Sequence, residues 1–217
     1  MTAVPQAVPY RILVVCTGNI CRSPFAERLL RDAFERLDAT AQESEWRAAV
    51  DVSSAGTHAM VGRPIEPAMA ALVEVYGSAS GQHAATQLDP ELIARADLVL
   101  ALTRGHRREV VRMLPSASRR VFALNEFTRL LEDARAAGVL DEIPSEESVT
   151  AQEVLAELVE AAASRRGFTV APDAPEVDDV IDPYGRDASV YETSAAHIAE
   201  IVGRIEAVIL STIRAAG

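Results

Sequence analysis

The chain has 217 residues, 49 % of them hydrophobic and 24 % charged, enough to bury the core of one domain over 1–217 without disulfides or metal. No apolar run reaches the ~20 residues a membrane helix needs, and the first ten residues hold neither Lys nor Arg, so neither membrane insertion nor a secretory leader is expected. The net charge is −11, yet residues 1–125 hold 14 Arg against 13 acids while residues 126–187 hold 5 against 16, so one segment carries the excess and disfavours nucleic acid and anionic lipid.

Residues 11–16 form a continuous, β-branched apolar run, predicted as a strand buried on both faces. Residues 17–21 follow as a loop, and Ser23 is expected as a helix N-cap with Pro24 at the first helical position. Phe25, Leu29, Leu30, Phe34 and Leu37 then recur at helical spacing. Residues 50–54 read as a second strand, 67–76 as a helix stopped by Gly77, 90–95 as a short helix and 97–102 as a third strand. A helix over 105–113, a fourth strand over 120–124 and a helix over 126–137 complete the alternation. This pattern predicts an α/β fold, a four-stranded parallel sheet flanked by helices on both faces.

The rhythm breaks at 138–180, read as an acidic insertion. It holds one amphipathic helix over 148–166, carried by Val149, Val154, Leu155, Leu158 and Val159, between two irregular arms rich in Pro, Asp and Glu. The expectation is a solvated surface excursion; the alternative is a lid or an arm for a protein partner. Ser189 and Glu192 are predicted to form a capping box for a last helix through Ile198, Ile201, Val202, Ile205, Val208 and Ile209.

The chemistry is concentrated in Cys16-Thr17-Gly18-Asn19-Ile20-Cys21-Arg22-Ser23. A cysteine ends a buried strand, and a loop in which Gly18 is expected to permit a positive-φ turn leads to a helix start. Loop amides can form an anion nest, and the helix adds its unpaired N–H groups and positive dipole end. Arg22 can clamp two phosphate oxygens with its planar fork. The same field favours the thiolate a nucleophile needs, and the Ser23 hydroxyl can hydrogen-bond it. All 21 basic residues are arginine, which excludes a Schiff-base lysine and the P-loop lysine of nucleotide hydrolases. Cys16 and Cys21 are the only cysteines, too few for a disulfide framework, so a reducing cytoplasm is the expected compartment.

The stretch from Val15 to Pro24 resembles the low-molecular-weight protein tyrosine phosphatases, bacterial type. Residues 53–57, 97–100 and Asp182-Pro183-Tyr184-Gly185 resemble further motifs of that family in the same order. The resemblance implies hydrolysis of phosphotyrosine in proteins, or of small aryl phosphates, through a cysteinyl-phosphate, with no metal or cofactor. It implies Cys16 as nucleophile and Asp182 as general acid and then base. Arg22, with Thr17, Gly18, Asn19, Ile20, Cys21 and Ser23, is implied to bind phosphate. Asn19 is implied to brace the loop through Ser54 or His83, and Tyr184 to wall the cleft. Met60 stands where some members carry a second wall aromatic. The resemblance is also compatible with a reversible Cys16–Cys21 disulfide, although Cys21 reads equally as a small buried side chain.

His58, His83, His106 and His197 show no metal spacing and are expected as surface or structural histidines, and Trp46 as a cap on the sheet edge. Two rival functions use the same loop. Arsenate reduction would need an external thiol, because no cysteine follows Cys21. A non-catalytic oxyanion-binding or interaction module would need neither Cys16 nor Asp182.

Overall fold

The computed structural model describes residues 8–40, 46–79, 81–142, 150–170 and 172–215. Four parallel strands, β1 (Tyr10–Cys16), β2 (Val50–Gly56), β3 (Leu98–Ala101) and β4 (Val121–Ala123), form one sheet in the order β2-β1-β3-β4. The chain reverses its direction of travel across the sheet between β1 and β3. In open parallel sheets that switch point leaves a crevice at the carboxyl ends of the strands. Cys16 is the last residue of β1 and lies at this crevice.

Both sheet faces are covered, which is why the strands read as unbroken apolar runs. Ile12, Val14 and Cys16 point into the larger core, Leu13 and Val15 into the smaller. Side chains of α1 (Arg22–Thr40), α2 (Trp46–Ala49), α3 (Pro67–Val75), α6 (Leu124–Ala136), α7 (Ala151–Ser164) and α8 (Ala188–Ala215) belong to the larger core. Those of α4 (Pro90–Arg95) and α5 (Arg104–Met113) belong to the smaller. The parallel sheet with helices on both faces therefore matches the sequence expectation.

Several local expectations are corrected. Ser23 does not cap α1, which begins one residue earlier at Arg22; its hydroxyl is used inside the loop. The capping box at Ser189 and Glu192 does not form, because α8 starts at Ala188 and Ser189 lies within the first turn. Trp46 is buried in the larger core, stacked on Phe34 with ring centroids 6.1 Å apart, rather than covering an edge.

The largest correction concerns residues 138–180. Helix α7 is capped by Thr150, whose side chain accepts from the Glu153 amide while Glu153 reaches back to Thr150. Val149 of the predicted helix lies outside the described residues. Val154, Leu155, Leu158 and Val159 are buried in the larger core beside α6, so this face is part of the packing and not a solvated excursion. Arg166, just past the helix, lies 3.9 Å over the Phe122 ring and donates to the carbonyls of Ser118 and Val121. In the second arm Asp178 is buried and pairs with Arg129 at 3.1 Å.

Candidate active site

The loop from Thr17 to Cys21 is held from outside by its own carbonyls. Those of Cys16, Thr17, Gly18 and Ile20 accept from the amides of Thr57, His58, Met60 and Glu66 at 2.8–3.0 Å. The Asn19 carbonyl accepts from His83 Nε2 at 2.7 Å. With the carbonyls turned outward, the loop amides turn inward, the arrangement of an anion nest. Gly56 permits this close approach, since a Cβ there would run into the Thr17 carbonyl and the Ala59 backbone.

Asn19 is the hub. It, and not Gly18 as expected, takes the loop's positive φ (54°), the only described non-glycine residue to do so, a conformation asparagine tolerates better than most. Its Nδ2 donates to Ser54 Oγ at 2.8 Å and to Ser23 Oγ at 2.9 Å, and its Oδ1 accepts from the Thr86 amide at 2.7 Å. Ser54 donates onward to Glu27 Oε2. Because Ser23 accepts from Asn19, its own proton is available to Cys16 Sγ, 3.0 Å away. The Asn19 amide also donates to that sulfur at 3.3 Å. Two donors are thus directed at one sulfur.

Arg22 is buried, its side chain 5 % exposed, and its fork is divided between two partners. One nitrogen donates to the Val180 carbonyl at 3.1 Å and the other to Asp182 Oδ2 at 2.6 Å. The chain after the sheet is pinned here: the Val180 amide donates to the Leu102 carbonyl, and Ser194 Oγ to that of Ile181. Asp182, with a side chain 52 % exposed, is thus carried to the cavity, and the Tyr184 amide donates to its other oxygen at 3.2 Å.

A cavity of about 120 Å³ lies between these parts. Cys16, Thr17, Gly18, Ile20, Cys21 and Arg22 line it, and His58, Met60, Asp182 and Tyr184 form its upper walls. Of the residues implied as phosphate-binding, Asn19 and Ser23 do not line it; both are fully buried and hold the loop from behind. Cys16 and Cys21 are both free thiols. Burial, and then the neighbouring Cys16, push the Cys21 thiol up to about 12, and Tyr191 lies against it.

His106, expected as a surface or structural histidine, is structural, and it ties the loop to α5, a link the sequence did not specify. It is buried at the start of α5, with Nε2 2.8 Å from Thr17 Oγ1 and Nδ1 2.9 Å from Thr103 Oγ1. Thr103 Oγ1 caps α5 by accepting from the His106 amide, so its proton goes to Nδ1. Nε2 then carries the ring hydrogen and donates to Thr17, an assignment made from the hydrogen-bond network. Burial, and then the charge of Arg22, push the His106 pKa down to about 4. The available signal was a threonine directly after the third strand with a histidine three residues on. Among the described residues no group of three or more His, Cys, Asp or Glu side chains could hold a metal ion, and no helix is long and apolar enough to cross a membrane.

Comparison with known proteins agrees with this geometry. The chain is 39 % identical over 115 residues to a probable low molecular weight protein-tyrosine-phosphatase, EpsP, of Ralstonia solanacearum, covering 53 % of this chain and 70 % of that one. It is 37 % identical over 120 residues to a protein-arginine-phosphatase of Geobacillus stearothermophilus, covering 55 % and 72 %. The solved structure of the YwlE arginine phosphatase from Geobacillus stearothermophilus superposes with a TM-score of 0.61 at 25 % identity, over 94 % of each chain. The sequence profile of the low molecular weight phosphotyrosine protein phosphatases matches residues 11–165, and the chain belongs to that family.

Proposed function

We propose that the protein hydrolyses phosphotyrosine in proteins through a cysteinyl-phosphate on Cys16. The observation that carries this reading is the meeting of Cys16, Arg22 and Asp182 at one small cavity walled by Met60 and Tyr184. The Cys16 sulfur attacks phosphorus in line as the bond to the phenolic oxygen breaks. Arg22 and the loop amides hold the three equatorial oxygens, where phosphoryl transfer concentrates charge. The incoming phosphate displaces Asp182 from Arg22; the freed carboxylate takes up a proton and then donates it to the leaving phenolate. Asp182 then takes a proton from the water that attacks the cysteinyl-phosphate, and Cys16 leaves as a thiolate supported by Ser23.

An aromatic ring fits the upper walls, where Ile20, Met60 and Tyr184 offer apolar surface. A second reading, hydrolysis of phosphoarginine, draws support from the relatives named arginine phosphatases. The apolar surface of Ile20, Met60 and Tyr184 suits a phenyl ring, whereas a guanidinium group would find acceptors only at Asp182 and His58. Arsenate reduction is less favoured, because a thiol relay has no use for a carboxyl group at Asp182. We also propose that residues 1–217 form one domain, since α7 shares the larger core with the rest, and that the protein works in the cytoplasm, where two unpaired thiols would stay reduced.

The test is turnover of phosphotyrosine, phosphoarginine and phosphoserine peptides without added metal, alongside Cys16→Ser. Faster release from phosphotyrosine, lost in the variant, is the expected result. Preference for phosphoarginine would transfer the assignment to the second reading.

A further inference from the structure

A second cavity, of about 410 Å³, opens beside the catalytic one and shares Thr17 and His58 with it. Its far side is the outer face of α5, with Arg108 and Arg112 four residues apart and therefore on one stripe of the helix. The charged groups lining it are these two arginines and Glu109; the buried His106 is engaged by Thr17 and Thr103. Glu109 lies 3.8 Å from Arg112, a long contact with the arginine side chain 77 % exposed. Arg108 is exposed and enters no ion pair among the described residues.

The opposite flank of α5 is different. Arg108 borders a cavity there too, with Arg104, Arg107 and Arg129, but Asp179, Glu126 and Asp178 answer the other three at 3.8, 3.3 and 3.1 Å and leave Arg108 without an ion pair among the described residues. In a chain of net charge −11, the groove at Arg108 is thus a place beside the catalytic cavity where positive charge is left without an internal partner.

We propose that this groove binds acidic residues of the substrate polypeptide that flank the phosphorylated side chain, with Arg108 as the principal contact and Arg112 as the second. The groove shares Thr17 and His58 with the catalytic cavity, so a chain whose phosphorylated residue reaches Cys16 can continue past these two residues onto α5. Arginine suits the task, because its planar fork takes a carboxylate in a two-pronged contact. Neither arginine touches the cavity that holds the reacting atoms, so they set substrate choice and leave the chemical step alone. The inference rests on the phosphotyrosine reading above.

The test compares kcat/KM on phosphotyrosine peptides flanked by Glu, by Ser or by Arg, for the full chain and for Arg108→Glu and Arg112→Glu, with p-nitrophenyl phosphate as control. The unmodified protein should favour the Glu-flanked peptide over the Ser-flanked one by about three- to fivefold per contact, chiefly through KM. Arg108→Glu should abolish or invert that order while p-nitrophenyl phosphate turnover is unchanged, and Arg108→Ala should flatten it. Equal rates on all three peptides, or a preference that survives in Arg108→Glu, would overturn the proposal while leaving the phosphatase reading standing. Failure to hydrolyse any phosphotyrosine substrate would overturn both.

Discussion

Asp182 Oδ2 sits 2.6 Å from a guanidinium nitrogen of Arg22, so the proposed proton donor and the proposed phosphate clamp are hydrogen-bonded to each other. A phosphate entering the loop must displace that carboxylate before Arg22 can clamp it. The contact therefore couples phosphate binding to release of the acid.

Asp182→Ala should separate the two effects. Turnover of aryl phosphates with poor leaving groups should fall by about 10²–10⁴, and that of good leaving groups much less. Inorganic phosphate should inhibit the variant at equal or lower concentration, because Arg22 has lost its competitor. A plot of kcat against leaving-group pKa checks this. A uniform loss across the series would remove Asp182 from the proton-transfer role.

Asn19 is the second test. Asn19→Ala loses the bonds to Ser23, Ser54 and Thr86 and puts alanine at a φ of 54°. The expected cost is about 3 kcal/mol in urea unfolding, with a fall in kcat. Asn19→Gly keeps the conformation and loses only the bonds, so it should cost less. If both variants matched the unmodified protein in stability, the loop would not depend on this hub.

His106 gives a pH prediction with a defined sign. Its pKa falls from the ordinary 6.5 to about 4 on folding, so the unfolded chain binds the extra proton between those values. Its contribution to stability is complete above the unfolded value and declines as pH drops toward about 4, by on the order of 3 kcal/mol. His106→Asn should show a flatter dependence of unfolding free energy on pH across this window. Identical slopes would mean that the buried imidazole is not the group titrating.

Helix α7 supplies the fourth prediction. Leu158 is 1 % exposed within the larger core, so Leu158→Ala should destabilise by about 2–5 kcal/mol while the folded variant still hydrolyses p-nitrophenyl phosphate. Thermal unfolding and initial rates measure the two parts. A change under 0.5 kcal/mol would return this helix to the surface.

The same residues explain what the sequence disclosed. Val14 and Val15 announced a two-face-buried strand because each meets a different core, and the loop from Cys16 to Ser23 was legible because its chemistry is local. Asp182 was picked out by the resemblance of Asp182-Pro183-Tyr184-Gly185 to a motif of the family. The apolar stripe of α7 predicted a helix but not the surface it meets, which depends on α6 being brought beside it. Ser23 looked like a helix cap because serine before proline usually is one; the demand of Cys16 and Asn19 for its hydroxyl is tertiary. The link made by His106 was hidden for a similar reason, since its partner Thr17 lies 89 residues away in the chain.

The central claim is that Cys16 carries the phosphoryl group, and trapping that intermediate tests it most directly. Asp182→Ala, mixed with an aryl phosphate of good leaving group and quenched rapidly, should accumulate protein heavier by one phosphoryl group, located by peptide fragmentation on Cys16 and not on Cys21. The adduct should be absent from Cys16→Ser. Turnover with no phosphorylated protein at any time, or normal turnover by Cys16→Ser, would contradict the account.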